Sequence, residues 1–233
     1  MGGICSQILK PESSTSGPYI TRNRRPAMNA KIAGIVARIA ELEHEMEHEI
    51  ERESEHAART FRYTIGSKKI FFDPEAREAN KAFREGILSY LRTTPLAILI
   101  VAPVVYSFYL PLWLLDAWIW LYQAVCFTAY GIQKVDRSRY VILDRGHIPY
   151  LNGIEQFNCN YCGYANGLIA YAREVAARTE QFFCPIKHAR KSAGVHARYH
   201  AFFDYGDAEQ FKKGLDKLRT ELHSKSPRVR PET

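Results

Sequence analysis

The sequence predicts a mainly α-helical, membrane-anchored protein, and three observations predict it. From Thr93 to Gln133 the only charged side chain is Asp116, in a block otherwise apolar, aromatic or neutral. Before that block, Asn29 to about Arg59 carries apolar residues at alternating steps of three and four. After it comes a polar segment in which three of the five cysteines cluster. A soluble domain distributes its apolar residues over amphipathic faces and seldom collects them in one block. With 46% hydrophobic and 24% charged residues among 233, wholesale disorder is excluded.

Residues 1–28 are rich in Ser, Pro and Arg without apolar periodicity, so they are expected to be a disordered leader with no cleavable signal peptide. The opening Met-Gly-Gly-Ile-Cys-Ser fits the myristoylation pattern at Gly2, with a palmitoylatable Cys5. A chance match is preferred, because a chain with its own spans gains little from a lipid anchor. Residues 29–92 are expected to form a cytoplasmic unit. Ile32, Ile35, Ile39, Leu42 and Met46 make a heptad seam, with Ile32 at position a, that predicts an amphipathic or coiled-coil helix pairing with a partner or with its own copy. Glu49, at the next d position, weakens it.

The same helix contains His44-Glu45-Met46-Glu47-His48, which satisfies the H-E-x-x-H metalloprotease pattern. In the seam's register His44 falls at f and His48 at c, among many glutamates, so a solvated stripe is expected instead of a catalytic wall. Phe61–Ile65 and Lys68–Phe72 then flank Gly66-Ser67, predicting a small hairpin with a type II′ turn. Asp73-Pro74-Glu75 reads as N-cap, first-turn proline and first-turn acid of a juxtamembrane helix.

Residues 93–133 hold about twice the roughly 20 residues that one span requires. Tyr106, Tyr109, Trp113, Trp118, Trp120 and Tyr122 gather near the middle with Pro111 and Asp116. Such residues favour an interface, so a transmembrane helical hairpin turning at Pro111–Asp116 is expected, with a re-entrant hairpin as the alternative. Both termini then face the cytoplasm, where basic residues meet an anionic inner-membrane leaflet. Pro103 is expected to kink the first arm.

Residues 134–224 are expected to form a small cytoplasmic α-helical Cys/His domain, followed by a disordered tail, 225–233. Its motif is Cys159-x2-Cys162, then Cys184-x3-His188. Two thiolates in a tight turn and a Cys/His pair together match the donors of a tetrahedral zinc site. An iron–sulfur cluster or a redox dithiol on the same cysteines is the alternative. Gly163 stands where C-x-x-C-H needs histidine, which excludes a c-type haem. His147, His196 and His200 are candidate substitute ligands, with a structural role preferred for each. One ion can bind both pairs only if the helix between them is confined to about Leu168–Arg178, with 179–183 doubling back.

The net charge is +7. The basic residues flank the apolar block or lie in the tail, and no nucleic-acid recognition motif accompanies them, so nucleic acid is not an expected partner. The stretches Asn158–Gly167 and Arg178–Lys191 resemble a family of uncharacterised bacterial membrane proteins. That resemblance implies a bacterial inner-membrane setting and no activity. The function expected is thus a non-enzymatic, membrane-anchored metal-binding scaffold acting through protein partners, or alternatively a membrane-bound redox protein.

Overall fold

The structure, a computed structural model, describes residues 30–66 and 69–223. The expected leader and tail, and the lipidation pattern, lie outside the described residues. The chain divides into two compact units with the boundary between Glu43 and His44. The molecule is mainly helical with one two-stranded antiparallel sheet.

Helix α1, Ala30–Thr60, covers the predicted amphipathic segment. Its apolar residues Ile35, Ile39, Leu42, Met46 and Ile50 are all exposed. Strands β1 (Tyr63–Ile65) and β2 (Ile70–Phe72) pair Tyr63 with Phe72 and Ile65 with Ile70. Gly66 N–H donates to Lys69 O at 2.9 Å. Gly66 therefore belongs to the pair that closes the hairpin and is not one of its two turn residues as expected, while Ser67 lies outside the described residues. Asp73 caps α2 (Pro74–Lys81), accepting from Glu75 N–H, with proline in the first turn. Arg62 holds this corner closed, bonding Asp73 and Glu75 at 2.9 Å each.

After α3 (Ile87–Thr93) comes a correction. The apolar block is one continuous helix, Leu96–Tyr130, and not a helical hairpin. It consists of α4 (Leu96–Ser107), α5 (Tyr109–Tyr122), a π-helical turn at Gln123–Phe127 and α6 (Thr128–Tyr130). Phe108 joins α4 to α5 with right-handed helical dihedrals, φ −64° and ψ −16°. Pro111 thus falls in the first turn of α5, where a missing N–H costs little, so it does not force a reversal. Gly131, at φ 68°, ends the helix in the left-handed conformation that glycine tolerates best.

Helix α7, Gly153–Phe183, is the second long element. Asn152 accepts from Ile154 and Glu155 N–H, and Glu155 accepts from Asn152 N–H, a complete capping box. The two long helices run parallel, as their contacts climb together. Tyr161 OH donates to Val105 O, Tyr164 OH to Asp116, and Tyr122 OH to Thr179, while Tyr130 stacks on Phe182. Phe127 and Leu168 are fully buried at the centre of the core, with Leu112, Ile119, Tyr171 and Val175 around them.

A parallel pair needs a return connection, and residues 131–152 supply it. Val135 N–H donates to Gln123 Oε1 at 2.7 Å, and Gln123 in turn bonds Tyr171 OH. The connection's backbone lies so close to α7 that a Cβ on Gly167 would meet Tyr140 O at 2.3 Å. Helix α8 (Ala208–His223) closes the far end, where Gln181 donates to Leu218 O and Gln133 N–H to Leu222 O.

Candidate functional site

The structure does not bring the predicted metal ligands together. Cys159 and Cys162 lie in the early turns of α7, and Cys184 lies at its C-cap. The intervening helix is unbroken, so the 22 residues from Cys162 to Cys184 span about 33 Å at 1.5 Å per residue. One ion in one chain cannot reach both pairs, and the expected four-ligand convergence is corrected on that ground. The physical reason is the capping box at Asn152, which starts the helix well before Leu168, and the connection packed on Gly163 and Gly167. Those glycines serve close approach, not a break.

The individual ligands have other surroundings. Cys159 is half-buried, and Cys162 and Cys184 are exposed, all as free thiols. His188 is exposed, stacked on Tyr199 at 5.9 Å, with its backbone N–H donating to Tyr199 OH at 2.6 Å. Among the substitutes, His196 Nε2 meets Glu180 at 2.9 Å and His147 Nδ1 lies 3.1 Å from Asp144 O. Among the described residues no three His, Cys, Asp or Glu side chains form a ready-made metal cage.

What the fold builds instead is a neutralised charge inside an apolar helix. Asp116 receives Arg137 Nε at 3.0 Å and Nη2 at 2.7 Å, a bidentate pair, and Tyr164 OH at 3.0 Å. Its side chain is 19% exposed against 44% for Arg137, so the arginine reaches in from the water side. Bidentate geometry suits guanidinium and carboxylate better than any lysine contact. The sequence placed Asp116 at a turn because its partners lie far along the chain. No local signal links Asp116 with Arg137 or Tyr164.

A second polar cluster ties the downstream segment to α7. Glu174 accepts from Arg178 and Arg198 at 2.8 Å each, and Arg198 also donates to Gln181 at 3.0 Å. Burial alone would raise the Glu174 carboxyl, but the two guanidinium groups outweigh it and hold it below the ordinary glutamate range. The cluster is structural, since its remaining donors reach backbone carbonyls, Arg178 to Gln133 O and Gln181 to Leu218 O.

The outer side of the long helix is its most exposed apolar feature. Trp113, Trp118 and Trp120, the chain's three tryptophans, are exposed by 62%, 64% and 68%. Leu110, Leu114, Leu121 and Val125 are exposed with them. Only 6% of the most apolar 18-residue window is buried. The core helix of a soluble protein would be mostly covered, so this helix has the length and composition to cross a membrane. On the connection, Lys134, Asp136, Arg139, Asp144 and Arg145 are exposed. Compared with family models, curated proteins and solved structures, the chain matches none.

Proposed function

We propose that this chain is a membrane-held scaffold that sinks one flank of the Leu96–Tyr130 helix into lipid and pairs with a second copy through α1. The carrying observation is the contrast between the exposed tryptophan flank and the charged connection packed on the same helix pair. A zinc or iron–sulfur centre on Cys159, Cys162, Cys184 and His188 forms no part of this reading.

The placement of charge favours a helix lying along the membrane over one crossing it upright. Thirty-five residues make a helix of about 52 Å, well beyond the roughly 30 Å of a hydrocarbon core. Upright, the connection would carry Arg137 and Arg139 toward mid-bilayer, where charge is expensive. In the interface, lipid takes the apolar flank and water takes the connection. Helix α7 suits this position. It carries no charge from Gln156 to Ala172, and Ile169 and Ala176 are exposed on a flank away from the glycine face, with Ala165 and Ala172 beside them packed on the core.

The chain's own tryptophans report the outcome. With the protein in vesicles, phosphatidylcholine brominated near the headgroup is expected to quench the emission more than lipid brominated deep in the acyl chain. Strongest quenching by the deep label means an upright span, and no quenching by either removes the membrane from the reading.

Pairing through α1 is favoured by charge as well as by its uncovered seam. In a parallel pair, g of one helix faces e of the next heptad on its mate. Arg38 at g then meets Glu43 at e on both sides of the pair. Two copies held in one membrane present α1 in the same direction. With the native cysteines replaced by serine, Leu42→Cys at the seam is expected to give disulfide dimers under mild oxidation. Glu41→Cys, at the outward c position, is expected to stay monomeric. Equal yields from both would remove the pairing.

A further inference from the structure

The H-E-x-x-H segment of α1 finds no protease setting, yet its two histidines are arranged for a ligand. His44 and His48 lie one turn apart on the exposed helix with their Nε2 atoms 3.3 Å apart. Their rings meet edge to face at 4.5 Å between centroids. Two imidazole nitrogens bound at about 2.0–2.1 Å to one tetrahedral ion stand about 3.3–3.4 Å from each other. The pair is therefore already set at the bite of a metal.

We propose that His44 and His48 form a chelating site for a borderline transition-metal dication, zinc or nickel. The donor set decides the class. Two imidazoles with nearby carboxylates suit zinc, nickel and copper, whereas calcium and magnesium require oxygen shells. Glu51 lies three residues beyond His48 on the same helical stripe, so its carboxylate or water fills the remaining positions. When the two neutral rings share one Nε2 proton, binding moves that proton to Nδ1 of the same ring, which leaves both Nε2 lone pairs for the ion.

The site binds and does not hydrolyse. Glu45, the residue that would serve as base, lies on an open helix surface without apolar walls. In the seam's register the histidines point outward at f and c, so pairing through α1 leaves the site open. The inference stands whether or not the chain enters a membrane. Its consequence is local, since a chelated turn stiffens α1 next to its seam.

Zinc binding by the full-length chain separates this site from the other donors. Cysteines are first blocked with iodoacetamide, and the protein in detergent then competes for zinc with a chromophoric chelator. His44→Gln and His48→Gln are each expected to weaken the tightest zinc site about ten-fold, because losing one arm of a chelate loses its effective concentration. The double variant is expected to add no further loss, and His56→Gln is expected to bind as the parent does. Far-UV circular dichroism without metal checks that α1 stays helical in every variant. Single variants within two-fold of the parent, or losses in the two singles that add as for independent sites, overturn the proposal.

Discussion

Replacing Gly167 with alanine is expected to cost about 3 kcal/mol of stability. Two effects compete there. In a helix interior, alanine is favoured over glycine by about 1 kcal/mol. Against this, the new Cβ would stand 2.3 Å from Tyr140 O and 3.0 Å from both Tyr140 C and Val141 Cα. All three are backbone atoms, so no rotamer change relieves the overlap. The connection must lift away, and with it goes cover for Tyr171 and Val135, both buried. Gly163→Ala is the internal control, since its Cβ meets Ile142 O at 3.3 Å and asks for only a small shift. That variant is expected to lie within about 1 kcal/mol of the parent, since propensity offsets crowding. Thermal melting of the three proteins in the same detergent checks both. A Gly167→Ala protein as stable as the parent would show that the connection does not lie on α7.

The second large effect concerns the ion pair. Arg137→Ala is expected to destabilise the protein by about 2 kcal/mol, because it strands the Asp116 carboxylate among apolar side chains. The figure is below the 3–5 kcal/mol typical of a fully buried pair, in proportion to the exposure of Arg137. Asp116→Asn is expected to cost less, since the amide oxygen still accepts from Tyr164 and no charge remains to desolvate. Replacing both Asp116 and Arg137 with leucine is expected to recover most of the loss, as apolar packing commonly matches a buried pair. Melts of the parent, Asp116→Leu, Arg137→Leu and the double leucine variant give a double-mutant cycle, and losses that simply add would mean the two groups do not interact.

The parts of the fold legible in the sequence were those written locally. Helix α1 followed from apolar spacing, the strands from two β-prone runs, and the start of α2 from Asp73-Pro74-Glu75. The long-range parts were misread for one reason. Pro111, Asp116 and the neighbouring aromatics look like a turn to any local rule. In the structure Tyr109 packs on Tyr161 and Tyr164, and Asp116 is matched by Arg137. Asn166-Gly167 likewise looks like a helix start, whereas its glycine admits a strand of connection that no local pattern announces. The candidate metal site failed with it, since its convergence depended on a short helix. The histidine pair on α1 was visible as a motif, but its bite distance was not.

The parallel arrangement of the two long helices has a consequence for synthesis. Asp116 and Tyr164 are 48 residues apart, and Tyr122 and Thr179 are 57 apart. At about 5–20 residues per second, the ribosome exposes the apolar helix for several seconds before its covering partner exists. During that interval Tyr164, the partner of Asp116 on α7, has not been made, and the apolar helix has only chaperone or lipid to rest against. The order of elements along the chain therefore delivers the greasy rod first and its cover last, so that insertion has a head start over tertiary assembly.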